Sequence, residues 1–206
     1  MSRFVSVALT VLLAVAPLAA QGTAGWKVRA DRSTMASDPD GAGDIKFMAM
    51  GAGFHTINPQ AAVYWKPGQS ATGTFSLKAQ FTLLKPSDHT NYYGLVFGAS
   101  GLDGPQQTYL YFMVAQDGTW IVKRRSGAAT EDIGKMSSSA VRTPGANGQS
   151  TNLLEVRVMP TTIEYSVNGT TVFTTPKTGN TATTDGEVGF RINHRLEVQV
   201  DNFEVS

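Results

Sequence analysis

The segment Tyr109–Arg125, YLYFMVAQDGTWIVKRR, constrains the fold more than any other part of the chain. Two runs of alternating apolar and aromatic residues flank Asp117-Gly118. A period of two belongs to strands. Asp-Gly suits a two-residue hairpin turn, in which both central residues take positive φ. That turn opposes Ala115 to Trp120, Met113 to Val122 and Tyr111 to Arg124. Opposed residues share a face. One face then carries Tyr109, Tyr111, Met113, Trp120 and Arg124, and the other Leu110, Phe112, Val114 and Ile121. The second set is apolar through its centre and is the natural core face. The first is aromatic with an arginine, and is either covered or exposed.

The same pattern recurs along the chain. In Asn91–Gly98, Tyr93, Leu95 and Phe97 face one way, and Tyr92, Gly94, Val96 and Gly98 the other. Glycine inside a strand marks a bulge or a close approach, and here it can leave a shallow trough beside an aromatic. Leu154, Val156 and Val158 alternate with Glu155 and Arg157, and Asn168-Gly169 is a strong hairpin signal. In Gly186–Phe203, Val188, Phe190 and Ile192 oppose Arg191 and Asn193, and the chain reverses near Asn193-His194. No stretch shows convincing helical spacing. The expectation is an all-β antiparallel sandwich.

Met1–Ala20 reads as a signal peptide. Arg3 forms its positive end, Phe4–Ala16 its apolar stretch, and Pro17–Ala20 supplies small residues for cleavage after Ala20. An uncleaved anchor is the alternative, but no stop-transfer flank follows. The chain is therefore expected to be exported, to a periplasmic or extracellular place, with no membrane span after signal cleavage. Gln21–Gly25 reads as a linker, and residues 26–206 as one domain, near the usual size. The chain has no cysteine. Disulfides, thiol catalysis, cysteine-metal sites and a cysteine-linked lipid are thereby excluded. Of 17 basic side chains Arg3 lies in the leader, which leaves 16 against 16 acidic ones. That balance argues against nucleic acid as a partner.

The runs NYYGLVFG, YLYFxVxxDGTWxVKRR, VNGTxV and GxVGFRINHxLxVxVDxF resemble the concanavalin A-like lectin/glucanase superfamily. Within it they are most similar to laminin-G-like jelly rolls of uncharacterised secreted bacterial proteins. Gly51–Thr56 and Ala61–Trp65 fit the same pattern, so the resemblance spans roughly Trp26 to Val205. It implies a two-sheet antiparallel jelly-roll sandwich with one concave sheet. It implies less about function, because this scaffold carries lectins, glycosidases and adhesion modules. The Glu-x-Asp-x-x-Glu strand of the superfamily's glucanases is missing. Glu197 and Asp201 share a face, but four strand residues separate them by about 13 Å, too far for either hydrolytic geometry.

Two groups of residues are candidates for chemistry. Sugars present flat apolar faces rimmed by hydroxyls, and so call for an aromatic platform beside fixed polar groups. Tyr109, Tyr111, Trp120 and Arg124 supply those types, with Tyr92, Arg191 and Asn193 joining if their strands are neighbours. The competing reading has this face covered by Gly51–Lys66, with Tyr64 and Trp65 packed on it. The second group is Asp38, Asp40 and Asp44 in SDPDGAGD. A hand-type calcium loop starting at Asp38 would have Ala42 at position 5 and Ala49 at position 12, so two ligands are missing. A solvated turn around Pro39-Asp40-Gly41 is the plainer reading. Calcium remains the metal such a stretch would hold.

Neither His55 nor His194 shows the short histidine spacing of a zinc site. No Gly-x-Ser-x-Gly elbow is present. Lys123-Arg124-Arg125 reads as a solvated strand end. The function expected from the sequence is noncatalytic binding of a glycan or polysaccharide. The alternatives are a sugar-acting hydrolase or lyase using Glu197, Asp201 or His55, and a structural protein that self-associates.

Overall fold

The computed structural model describes residues 22–206. The expected leader and Gln21 fall outside the described residues. Among the described residues fourteen strands form two seven-stranded sheets, and their pairings are antiparallel. The first sheet is ordered β1 (Lys27–Asp31), β4 (Ala61–Ala71), β13 (Gly186–Ile192), β6 (Tyr92–Ser100), β7 (Thr108–Ala115), β8 (Thr119–Ser126) and β9 (Ala129–Ser137). The second is ordered β12 (Thr170–Pro176), β11 (Thr162–Val167), β10 (Ser150–Val158), β5 (Phe75–Lys85), β14 (Leu196–Val205), β3 (Gly53–Asn58) and β2 (Lys46–Met50). The described helical structure is a single 3₁₀ turn, Gly179–Thr181. This is a jelly-roll sandwich.

Period-two alternation builds the interior. Tyr93, Leu95 and Phe97 on β6, Leu110, Phe112 and Val114 on β7, and Val188, Phe190 and Ile192 on β13 point toward the second sheet. They meet Leu77, Ala79 and Phe81 on β5, Leu154, Val156 and Val158 on β10, and Val198 and Val200 on β14. Phe190 stacks on Tyr64 with centroids 4.8 Å apart. Trp26 wedges among Phe54, Phe190 and Phe203 at 4.7, 5.4 and 5.5 Å. Several polar groups inside this core are paired. Tyr64 donates to Asn58 Oδ1 at 2.8 Å, and Asn152 is held by Tyr93, Asn168 and the Arg142 backbone.

Asn168-Gly169 forms the expected two-residue hairpin, with φ of 51° and 81° and Val167 opposite Thr170. The Asp117-Gly118 hairpin differs from the expectation by one residue. Its loop has three residues, with Gly118 at φ 85° and its N–H bonded to Ala115 O. Val114 therefore opposes Trp120, Phe112 opposes Val122 and Leu110 opposes Arg124. Both loop lengths accept Asp-Gly, since the longer one needs a left-handed residue only at its last position. A one-residue slip reverses every side chain of β8. Trp120 thus enters the main core, 4.9 Å from Phe173, instead of joining Tyr109 and Tyr111.

The reversal at Asn193–Arg195 is also not a hairpin within one sheet. It carries the chain from β13 in the first sheet to β14 in the second, with Arg195 at φ 56°. Gly94 is a close approach and not a trough, because a Cβ there would run into the Phe112 carbonyl and the Met113 backbone.

Trp120→Ala is expected to destabilise the domain by about 3–5 kcal/mol, as a buried aromatic truncation does. Urea unfolding measures this. Unchanged stability would return Trp120 to an exposed face.

Candidate functional site

The first sheet is apolar on both faces. Its outer face carries a second cluster made by Val63, Trp65, Val96, Tyr109, Tyr111, Met113 and Ile121. Tyr109 is 2% exposed and Tyr111 5%. The cover is the chain's own β6–β7 loop, not Gly51–Lys66. Leu102 of that loop is buried in the cluster. The loop reaches β1 on the sheet edge, where Arg29 donates to the carbonyls of Leu102 and Gly104, and Lys27 pairs with Asp103 at 2.8 Å. The segment expected to form the cover supplies β4 instead. Trp65 lies in this outer cluster, and Tyr64 faces the main core.

Arg191 sits at the rim of the covered face. It is 9% exposed, and a buried charge demands partners. Asp31, at the end of β1, forms a direct ion pair with it. Tyr109 Oη lies 3.0 Å from Arg191 Nη1, and the guanidinium stands 6.0 Å from the Tyr111 ring. Burial works to raise the Asp31 carboxyl. The Arg191 charge and hydrogen bond outweigh it, with Arg125 and Gln107 adding, and hold the carboxyl below its usual range. Burial raises the hydroxyls of Tyr109 and Tyr111. Burial alone would lower Arg191, but Tyr109 and Asp31 more than offset it, and its pKa is raised. The guanidinium is fixed, charged and oriented.

An open, mainly polar cleft of about 490 Å³ lies beside this network. Four arginines (Arg29, Arg32, Arg125 and Arg191) and two aspartates (Asp31 and Asp38) line it, together with Asn91, Asn193 and His194. Asn193 Oδ1 is buried without a hydrogen-bond partner among the described residues. Arg125 spends its Nε on Gly127 O at 2.6 Å.

The segment after β1 closes the end of this cleft. Asp40 Oδ2 accepts from the Ser33 N–H, which folds the segment back on itself. Asp38 Oδ1 lies 3.0 Å from His89 Nε2 and 3.1 Å from His194 Nε2. Asp40 Oδ1 lies 3.2 Å from His194 Nδ1. Asp38, His89 and His194 are thus grouped so that they can hold a metal ion. Asp44 is exposed and stands outside this group. The sequence marked Asp38 and Asp40 but gave no sign of the two histidines as their partners.

Of the expected ligand residues, Arg191 and Asn193 line the cleft, and Tyr109 and Tyr111 support Arg191 from beneath the loop. Tyr92 is half-buried at the same end of the sheet, its hydroxyl 3.0 Å from that of Thr119. Trp120 lies in the core. Arg124 lies apart, donating to Asn180 O. Arg125, read from the sequence as part of a solvated strand end, is the residue that turns to the cleft. Glu197 and Asp201 have separate partners. Glu197 is bonded to His55 at 2.9 Å, and Asp201 accepts from Gln199.

No protein-family model and no curated protein matches the sequence. Solved structures do match the fold. A CBM66 carbohydrate-binding module from Bacillus subtilis aligns with a TM-score of 0.62 at 9% identity, over 88% of this chain and 95% of that one. The metal-free carbohydrate recognition domain of Emp46p aligns with a TM-score of 0.58 at 10% identity, over 89% and 88%. A Bacillus subtilis protein of unknown function with a galectin-like fold gives 0.60 at 14%, over 87% and 88%. At these identities the likeness shows the fold alone, a jelly-roll sandwich.

Asp31→Asn leaves Arg191 without its anion and is expected to cost about 3 kcal/mol at neutral pH. The folded-state pKa of Asp31 lies below the unfolded value of about 3.9. Its contribution is therefore complete above about pH 4 and is lost as pH falls through the folded value. Denaturant unfolding from pH 7 to pH 2 should show the gap between wild type and variant closing only in acid. A gap unchanged throughout would refute the linkage.

Proposed function

We propose that the chain is an exported, noncatalytic binding domain that takes carbohydrate in the cleft beside Arg191. The observation that carries this reading is the cleft itself. It offers a pinned guanidinium, the free end of Arg125, the Asn193 amide group and two aspartates on one polar surface. Sugar hydroxyls donate and accept together, so they suit a site with guanidinium donors next to carboxylate acceptors. The jelly-roll fold supports the reading, since its structural neighbours include a carbohydrate-binding module and a carbohydrate recognition domain. The signal-like Met1–Ala20 and the laminin-G-like motifs suit a secreted module. The engaged Glu197 and Asp201, and the missing glucanase motif, favour binding over hydrolysis.

The details of the ligand follow from the lining. The tyrosines lie beneath the β6–β7 loop, so recognition rests on hydrogen bonds and charge more than on stacking. Four arginines against two aspartates favour a saccharide that carries a carboxylate. The balanced total charge does not favour nucleic acid.

A glycan panel containing neutral and uronate-bearing oligosaccharides tests this reading. Arg125→Ala and Asn193→Ala are each expected to weaken the best binder about tenfold, the equivalent of ~1.4 kcal/mol, with the fold intact by circular dichroism. Absence of binding across the panel would overturn the reading, as would binding indifferent to both substitutions.

A further inference from the structure

We propose that Asp38, His89 and His194 form a transition-metal site of the zinc type, built where three loops meet at one end of the sandwich. Asp38 comes from the segment between β1 and β2, His89 from the β5–β6 loop, and His194 from the turn between β13 and β14. Asp38 Oδ1, His89 Nε2 and His194 Nε2 form a triangle with edges of 3.0, 3.1 and 3.1 Å. Zinc bonds of about 2.0–2.1 Å at tetrahedral angles give edges of about 3.3 Å, so the triangle is within a few tenths of an ångström of a coordination face.

Proton placement on the two rings strengthens the case. His89 Nδ1 lies 2.8 Å from Asp88 Oδ1, and His194 Nδ1 lies 3.2 Å from Asp40 Oδ1. A carboxylate accepts, so each Nδ1 can donate to the one beside it. In that tautomer the two Nε2 atoms present their lone pairs to a metal. The Asn91 amide, 2.9 Å from His89 Nε2, competes for that lone pair and must yield it when a metal binds, and Ser87 Oγ at 3.2 Å is its other partner. Two imidazole Nε2 atoms and a carboxylate oxygen thus converge on one point, where ring hydrogens or a metal ion must join them. Carboxylates behind ligating imidazoles fix the tautomer and raise ligand basicity, as outer partners do in zinc sites. Nitrogen donors select zinc or its neighbours over calcium, which takes oxygen. The ion would tie the segment carrying Asp38 to both sheets. The inference stands apart from the carbohydrate reading, since the metal needs only the protein.

The test uses purified protein stripped with chelator, then titrated with Zn²⁺ and separately with Ca²⁺ by calorimetry, with Co²⁺ absorption reporting coordination geometry. The expected result is one Zn²⁺ per chain at micromolar affinity or tighter, a tetrahedral Co²⁺ spectrum, and no comparable Ca²⁺ binding. His89→Ala and His194→Ala should each weaken Zn²⁺ more than about 100-fold, and Asp40→Asn about 10- to 100-fold. Asp44→Asn should leave it unchanged. His89 is partly exposed, so its variant tests the site even if His194→Ala fails to fold. Millimolar Zn²⁺ affinity, binding unaffected by His89→Ala, or preferential Ca²⁺ binding would each overturn the proposal.

Discussion

A charged guanidinium buried on the outside of a sheet organises one half of this protein. Arg191 alternates with Phe190 and Ile192 on β13, so the interior that fixes those two also forces Arg191 outward. The outer face there is not solvent but a second apolar cluster. A charge in that setting is tolerated only with a close anion and further hydrogen bonds. Asp31 and Tyr109 supply them. The edge strand β1 is thus held by more than its ladder with β4. It delivers the carboxylate that the neighbouring strand but one requires.

From that anchor the rest of the sandwich end follows. The chain leaves β1 at Asp31 and folds back through Ser33 and Asp40, which brings Asp38 and Asp40 to His194. His194 is three residues from Arg191, on the turn that passes between the sheets. The cleft and the histidine group are therefore products of one arrangement. Arg191 sets its floor, Asn193 its wall, and His194 its corner. On the other side, the β6–β7 loop seals the tyrosines and leaves the arginine ends as the accessible chemistry.

The interior was legible in the sequence because alternation reports burial directly. Val188, Phe190 and Ile192 faced inward as their spacing required, and Asn168-Gly169 turned where its positive φ values are easiest. The β7–β8 register was not legible, because Asp-Gly serves a two-residue and a three-residue loop equally well. That single ambiguity moved Trp120 into the core and brought Arg125 to the cleft. The cover over Tyr109 and Tyr111 was hidden too, since Leu102 in a Gly- and Pro-rich loop gives no sign of crossing a sheet. The histidine group was further out of reach. His89 and His194 are 105 residues apart, and Asp40 and His194 are 154 apart, so only the closed fold makes them neighbours.

The proposed ligand site is the cleft at the Asp31–Arg191 end of the first sheet. Amide chemical-shift mapping during titration with a uronate-bearing oligosaccharide tests it directly. The account predicts shifts concentrated at Asn91, Arg125, Ala128, Asn193 and His194, which surround that cleft. Shifts centred on Trp26 and Lys66–Gln69, around the cleft at the opposite end of β1 and β4, would contradict it.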